Sequence, residues 1–433
     1  MGLQRSNVTI IHPDLGIGGA ERLIIDVALA LQNRGHRVTI YTSHRDKTHC
    51  FDEARDGTLD VRVRGNTIFP AHICGRLHIL MAALRQLHLT VSLLGELGTR
   101  GSSETTTTTD DEVRDDIFIV DQLPACVPFL KSFGRPRKSR RQRILFSRRV
   151  VRDVFGSDRL GDVEVVYPCV DMDAGPAIPE KAEEDPLWGG KKILLSINRF
   201  ERKKDMALAI RAFNGLGAEK RKGTRLVIAG GYDNRVQENV QYHQELDELA
   251  TSLGLKTATS KTVLSALSIP DDIDVLFLLS VPTAFKDTLL AQSKLLLYTP
   301  INEHFGIVPV EAMRAGLPVL ASNTGGPLET IVEGETGWLR DAHADEEWTA
   351  VVDKALYGLT EEDEKRMALA GKKRAQQEFS LTAMGDRLEE EISTMLDAEG
   401  RPFNGWQQVF AILALIGAVL AMMAAILLRA IAS

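Results

Sequence analysis

The sequence predicts an α/β protein with two successive Rossmann-like domains and a membrane-spanning helix at its C-terminus. Three observations support this. Short apolar strands alternate with amphipathic helices, the alternation restarts near residue 190, and an uncharged apolar run occupies 409–428. Alternating strands and helices are typical of parallel, doubly wound sheets. The chain has 433 residues, which is too many for one compact core.

Both large domains show the same alternation. In residues 1–172 we predict strands at NVTIIH, RVTIYTS, LDVRVRG and DIFIVDQ, with the helix GGAERLIIDVALALQNRG after the first. In residues 173–400 we predict strands at KKILLSINRF, TRLVIAGG, DVLFLLSV, KLLLYTP and LPVLASN. The join lies in the proline-rich and acidic stretch 167–186. Ligands of such domains bind at the carboxyl ends of the strands, so we expect an interdomain cleft.

The predicted membrane anchor comprises residues 406–429. Its apolar run is flanked by Trp406 and Arg429, and as a helix it would be about 30 Å long, enough for a bilayer core. The alternative is a buried helix of a soluble domain. The first residues contain no long apolar run, so we predict no signal peptide and expect the large domains in the cytosol.

Composition restricts the classes of protein. The net charge is −7, without a pervasive basic balance, which argues against nucleic acid as a partner. The four cysteines are widely spaced and show no CxxC pairing. This spacing argues against zinc and a disulfide framework and suits a reducing compartment.

The first motif is HPDLGIGGAER, where Gly16, Gly18 and Gly19 lie between the first strand and the first helix. Backbone N–H groups at a helix N-terminus favour a phosphate or an oxyanion. A dinucleotide fingerprint would need a small residue where Glu21 stands, so NAD binding is disfavoured. A plain tight turn is the alternative.

The second motif is INRFERKKD, with Arg199 at the end of a predicted strand and Lys204 just before a helix. Two fixed cations at such a junction would hold a diphosphate and stabilise the charge that grows on it as a leaving group. The alternative is a solvated basic turn.

The third motif is TPINEHFGIVPVEAM, which carries Glu303 in a loop and Glu311 on a helix. Amides around Gly306 and Ile307 would point at a phosphate above the helix N-terminus. The carboxylates accept hydrogen bonds from hydroxyls, which suggests a sugar at one end and a ribose at the other. The alternatives are a helix cap at Glu303 and a surface residue at Glu311. A glycosidase acid/base pair is disfavoured.

Together these motifs resemble a known family. E-x7-E, GGAE in the first domain and R-x4-K between them resemble the retaining glycosyltransferases of family four, which have the GT-B fold. More narrowly, HPDLGIGGAERLIIDVALALQNRGHRVTIYTSH, DQLPACVP and YTPINEHFGIVPVEAMRAGLPVLASNTGGPLETI are similar to the α-1,3/1,6-mannosyltransferases of dolichol-linked oligosaccharide assembly. The similarity covers most of residues 7–400.

The resemblance implies a role for each motif residue. It makes Glu303 a catalytic residue at the donor mannose hydroxyls, and Arg199 and Lys204 catalytic residues at the GDP diphosphate. Glu311 is expected to accept from the ribose hydroxyls. No cofactor and no bound metal are expected. The remaining contacts are expected from the backbone of Phe305, Gly306 and Ile307 on the donor side and from Gly18 and Gly19 on the phosphate and acceptor side.

The implied activity is transfer of mannose from GDP-mannose to dolichol-diphosphate-linked Man-GlcNAc2, forming α-1,3 and α-1,6 branches in N-glycan precursor synthesis. The implied location is the endoplasmic reticulum membrane, with cytosolic catalytic domains. The implied partners are the donor, the lipid-linked oligosaccharide, the membrane and other glycosyltransferases of the pathway. The alternative is a catalytically impaired, membrane-tethered protein that binds the donor or acts as a scaffold.

One segment departs from the family pattern. RQRILFSRRVVRDVF leads from a predicted strand ending at Phe146 directly into a helix at Ser147. The family places a passage beginning YCHFPD between them, so roughly forty residues are missing, including the histidine that lies beside the anomeric carbon in the family. The explanations are a coding segment removed as a false intron and a damaged paralogue. The clean junction and the intact donor motifs favour the first.

Overall fold

The computed structural model describes residues 5–70, 78–103, 116–121, 126, 142–146, 166–172 and 186–397. The described residues form two compact units. The first contains residues up to Val166 and from Met384 onward, and the second is Tyr167–Ala383. The predicted domain boundary at 172/173 adjoins residues 173–185, which lie outside the described part. The long C-terminal helix Leu381–Asp397 is shared between the units.

The first unit contains a five-stranded parallel sheet with the order β3-β2-β1-β4-β5. Apolar residues of the central strands, such as Ile10 and Ile40, are fully buried. The strands are β1 Asn7–His12, β2 Arg37–Thr42, β3 Asp60–Val63, β4 Asp116–Val120 and β5 Gln142–Phe146, and the helices are α1 Gly19–Asn33 and α2 His78–Ser103.

The second unit contains a seven-stranded parallel sheet with the order β12-β11-β10-β6-β7-β9-β8. Its strands are β6 Lys192–Ile197, β7 Thr224–Gly230, β8 Thr257–Ser260, β9 Val275–Leu279, β10 Ser293–Tyr298, β11 Val319–Ser322 and β12 Gly337–Arg340. Its helices are α3 Met206–Gly215, α4 Gly217–Arg221, α5 Gln237–Ser252, α6 Val263–Leu267, α7 Thr283–Gln292, α8 Ile307–Ala315, α9 Pro327–Thr330, α10 Asp345–Asp353 and α11 Glu361–Phe379, followed by the shared helix α12 Leu381–Asp397.

The second sheet is buried on both faces. Along β6, Leu194 belongs to one apolar cluster, whereas Ile193 and Leu195 belong to another. Successive side chains of a strand point to opposite faces of the sheet, so the two clusters are the two layers of the core. β8 and β12 were not predicted, because they are short edge strands (TATS and GWLR) without a clear apolar alternation.

The strand order places a topological switch point at the carboxyl ends of β6 and β10. β6 pairs with β7 on one side and with β10 on the other, so the connections leave β6 and β10 in opposite directions. In open α/β sheets ligands bind in the crevice that forms at such a point. The candidate site is therefore expected in the loops that follow Ile197 and Tyr298.

No helix in the described part of the chain is long and apolar enough to cross a membrane. The predicted anchor, residues 406–429, lies outside that part.

Candidate active site

The loops that follow β6 and β10 meet at the switch point. The first loop contains the turn Arg202–Lys204, and the second begins at Thr299. The hydroxyl Oγ1 of Thr299 donates a hydrogen bond to the carbonyl oxygen of Lys204, over 2.7 Å, and Thr299 is fully buried. This bond fixes Lys204 against the end of the neighbouring strand.

Lys204 and Glu303, predicted from separate motifs, are brought together by this arrangement. Lys204 Nζ forms a hydrogen-bonded ion pair with Glu303 Oε2. The side chains are 16% and 27% exposed, so the pair is accessible but partly desolvated. Arg199, by contrast, is 69% exposed and has only a 3.8 Å approach to Glu201. Of the two predicted cations, Lys204 is held in place and Arg199 extends into solvent.

The loop around Glu303 depends on backbone conformations that few side chains allow. Gly306 has φ 82°, and a Cβ on it would lie 3.1 Å from the ring of Tyr298. Gly306 is also the residue before α8, whose N-terminus is not capped by any side chain. The first-turn N–H groups of α8 are therefore available to a phosphate oxygen.

Two glycines that the sequence analysis did not single out support the same loop. A Cβ on Gly325 would lie 2.4 Å from the carbonyl oxygen of Glu303, and one on Gly326 would lie 2.3 Å from that of Phe305. The Gly326 amide donates to the Glu303 carbonyl over 2.7 Å. Their signal in the sequence is a glycine pair two residues after the end of a strand, in SNTGGP.

The ring of Phe305 is part of an aromatic cluster. It stacks on Tyr167 with centroids 5.8 Å apart and meets Phe379 edge-on at 5.6 Å. The ring therefore anchors the loop, which leaves the backbone of this residue as the part able to approach a ligand. Ile307, the first residue of α8, is 38% exposed.

Glu311, the second predicted carboxylate, is also paired with a lysine. Lys286 Nζ of α7 lies 2.7 Å from Glu311 Oε1 of α8, and the side chains are 24% and 19% exposed. Lys286 was not predicted as a site residue, because no motif spacing marks it in the sequence. The adjoining Phe285 and Pro282 line a shallow, open depression that also includes Ser260, Thr262 and Val281.

Tyr298, at the end of β10, is held in its neutral form. Burial, and to a smaller extent the Glu303 carboxylate, raises the pKa of its phenol above the ordinary value. The Tyr298 ring that packs against Gly306 is therefore uncharged at neutral pH. The charged groups described at this site are lysines and glutamates.

The glycine motif of the first unit lies at the N-terminus of α1. Gly18 has extended backbone (φ −163°), and no side chain caps the helix. A Cβ on Gly19 would meet nothing within 4 Å, so the backbone itself does not require glycine there. At the end of β1, the fully buried His12 pairs through Nδ1 with Asp121 over 3.0 Å. Gly18 and Gly19 remain predicted contacts of the acceptor side.

Comparison with known proteins identifies the family. A family model described as "Glycosyl transferases group 1" matches residues 178–374. The alpha-1,3/1,6-mannosyltransferase alg-2 of Neurospora crassa is 46% identical over 473 residues, covering 98% of this chain and 96% of the relative. The alpha-1,3/1,6-mannosyltransferase ALG2 of Rhizomucor pusillus is 42% identical over 433 residues, covering 88% and 90%. The chain belongs to the α-1,3/1,6-mannosyltransferase family.

Solved structures show the fold of this mannosyltransferase family member. A glycosyltransferase from Rickettsia africae matches with TM-score 0.64 and 16% identity, covering 91% of this chain and 100% of that one. Sucrose-phosphate synthase from Thermosynechococcus elongatus matches with TM-score 0.61 and 15% identity, covering 91% and 100%. The fold is GT-B, with parallel sheets in two Rossmann-like domains, as predicted. The protein is a glycosyltransferase.

The Neurospora crassa mannosyltransferase contains residues that this chain lacks. Their alignment extends over 473 positions and includes 98% of the 433 residues of this chain, about 424, so about 49 residues of the relative have no counterpart here. The roughly forty residues expected to be missing after Phe146 would account for most of them. Residues 147–165 lie outside the described part, so the position of the gap stays a prediction.

Proposed function

We propose that the chain transfers mannose from GDP-mannose, with retention of configuration, to dolichol-diphosphate-linked Man-GlcNAc2. The products would be α-1,3 and α-1,6 branches in N-glycan precursor synthesis. The observation that carries the proposal is two lysine–glutamate contacts around one uncapped helix N-terminus: Lys204–Glu303, with Glu303 in the loop before α8, and Lys286–Glu311, with Glu311 on α8. The names of the relatives supply the sugar and the linkages.

The donor would be bound as an extended molecule along this part of the second unit. Its diphosphate would accept hydrogen bonds from the first-turn amides of α8 and from Lys204, with Arg199 closing over it from solvent. The mannose hydroxyls would donate to Glu303, and the ribose hydroxyls would donate to Glu311. The guanine would lie in the depression beside Phe285 and Pro282.

The chemistry would follow from this arrangement. As the bond between C1 of mannose and the β-phosphate oxygen breaks, negative charge grows on GDP, and Lys204, Arg199 and the helix N-terminus stabilise it. The acceptor oxygen forms the new bond to C1, and its proton passes to the departing β-phosphate. Glu303 is then a ligand of the sugar and no acid/base pair is needed.

The acceptor is a lipid, which fits the proposed anchor at 406–429 and a location on the cytosolic face of the endoplasmic reticulum membrane. We assign residues 1–172 to the acceptor domain, with Gly18 and Gly19 at its phosphate and acceptor side, and residues 173–400 to the donor domain. Other glycosyltransferases of the pathway are proposed partners. The alternative of an impaired scaffold is not favoured, since the curated relatives carry the names of enzymes.

The test uses the purified full chain in detergent with GDP-mannose and a dolichol-diphosphate Man-GlcNAc2 acceptor. We expect a lipid-linked product one or two mannoses longer, sensitive to linkage-specific α-mannosidases, and no product with UDP-mannose or UDP-glucose. GDP binding should be measured in parallel. Turnover with a UDP-sugar, or a β-linked product, would contradict the proposal.

A further inference from the structure

We propose that Lys286 is a positioning residue for the donor ribose: it fixes the Glu311 carboxylate so that the carboxylate receives the ribose 2′- and 3′-hydroxyls. The inference rests on the proposed function, in which Glu311 is the ribose ligand. Lys286 comes from a different helix and belongs to none of the motifs that identify the family site.

The contact itself has the geometry of a positioning pair. Lys286 Nζ lies 2.7 Å from Oε1 of Glu311, a length expected for a charge-assisted hydrogen bond. No other hydrogen bond of the Glu311 side chain is found among the described residues. A carboxylate has about four acceptor positions, so one bond at Oε1 leaves room for a ribose diol.

A second ion pair also joins the two helices. Asp287, the residue after Lys286 on α7, and Arg314, three residues after Glu311 on α8, contact over 2.9 Å, with side chains only 10% and 12% exposed. Arg314 also donates to the carbonyl oxygen of Asp171 over 2.8 Å. This more buried pair gives the contact between α7 and α8 a second ionic link, so loss of Lys286 alone should leave the two helices packed together.

The adjoining surface supports the same assignment. Lys286 follows Phe285, which lines the depression proposed for the base, and Glu311 lies four residues into the helix whose N-terminus is proposed for the phosphates. A ribose connects a base to its phosphates. The Lys286–Glu311 pair therefore lies between the proposed base site and the proposed phosphate site, where the ribose would be.

Without Lys286, Glu311 would be a partly exposed glutamate free to change rotamer, and each ribose hydroxyl would have to order it on binding. We expect the free-energy cost of ordering Glu311 to weaken binding of the ribose hydroxyls and to leave binding of the phosphates unchanged. The measured quantity is the ratio of the dissociation constants of 2′,3′-dideoxy-GDP and GDP.

The experiment measures both dissociation constants by isothermal titration calorimetry on the full chain and on three variants. For the wild type we expect a ratio of about thirty, as for hydroxyls bound to a charged acceptor. Lys286→Met should lower the ratio about tenfold by weakening GDP, and Lys286→Arg should restore it to within about threefold of the wild type. Asp287→Asn is the matched control, because it breaks the neighbouring pair and should leave the ratio unchanged.

Each other outcome overturns the inference. An unchanged ratio in Lys286→Met, in a wild type that does discriminate, would refute the role of Lys286 and leave the proposed function intact. An equal loss in Asp287→Asn would show a merely structural effect of the helix contact. A wild type that does not discriminate would remove Glu311 as the ribose ligand and the inference with it. Thermal denaturation of each variant verifies folding.

Discussion

Replacing Glu303 by glutamine should make the protein bind GDP more tightly, although it removes a predicted catalytic residue. In the structure the Glu303 carboxylate forms an ion pair with Lys204, the cation proposed to hold the diphosphate. GDP must displace the carboxylate from the lysine, and it offers no sugar hydroxyl to the carboxylate in return. A neutral amide competes less well for Lys204 and does not repel the phosphate.

The magnitude follows from the burial of the pair. Side chains 16% and 27% exposed lie between a surface ion pair and a fully buried one. A hydrogen bond to a charged group contributes about 1.5–3 kcal/mol, and a neutral one about 0.5–1.5 kcal/mol. The substitution thus weakens the contact that GDP must displace from Lys204 by about 1 kcal/mol, which corresponds to about fivefold tighter GDP binding. Transfer should fall at the same time, because the mannose hydroxyls lose their charged acceptor.

The assay is calorimetric titration of GDP into the full chain and into Glu303→Gln, with mannose transfer measured separately. A suitable control is Glu364→Gln, which breaks another lysine–glutamate pair, with Lys294, that is more exposed and lies away from the switch point (2.9 Å, side chains 38% and 42% exposed). The control should not change GDP affinity. Weaker GDP binding in Glu303→Gln than in the wild type would refute the reasoning, because Glu303 would then be helping the nucleotide to bind.

Three further results are expected. Gly306→Ala should lower the free energy of unfolding by about 1–3 kcal/mol in chemical denaturation, because φ 82° is unfavourable for alanine and its Cβ meets Tyr298; unchanged stability would show that the loop relaxes freely. Inserting the family passage that begins YCHFPD after Phe146 should raise the transfer rate without changing GDP affinity, and an equal rate with and without it would show that the passage is dispensable. Burial raises the pKa of Asp205, so its charge opposes folding at neutral pH and the penalty disappears as the pH falls through the raised pKa. Asp205→Asn should therefore be more stable than the wild type at pH 7, with the difference in the free energy of unfolding vanishing near pH 3.

The sequence predicted the two Rossmann-like domains because strand and helix periods are local properties. It also predicted Glu303 and Lys204, each from its own motif. It did not predict that they form a pair, because they are 99 residues apart and meet only through the adjacency of β6 and β10. Strand order is set by packing on both faces of the sheet, which no single segment encodes.

Lys286 was missed for a related reason. A lysine on a helix is ordinarily a solvated residue, and only the packing of α7 beside α8 turns it toward Glu311. The glycine pair Gly325–Gly326 was visible in the sequence, but its function depends on contact with a loop about twenty residues earlier in the chain. Motifs therefore marked the residues that are predicted to contact a ligand, and tertiary structure was needed to find the groups that hold them.

The two lysine–glutamate pairs should act differently in the reaction cycle. Lys204 and Glu303 are both proposed to bind the donor, so intact GDP-mannose satisfies both by exchanging their mutual contact for a phosphate and a hydroxyl. Once mannose has left with the acceptor, no sugar hydroxyl remains to donate to the Glu303 carboxylate, which then competes with GDP for Lys204 again. Lys286 is not proposed to touch the donor, so we expect its contact with Glu311 to persist through the reaction cycle. The first pair would then favour release of GDP, and the second would keep the ribose ligand in place for the next donor. Glu303→Gln should accordingly dissociate from GDP more slowly than the wild type in stopped-flow experiments, whereas Lys286→Met should dissociate faster.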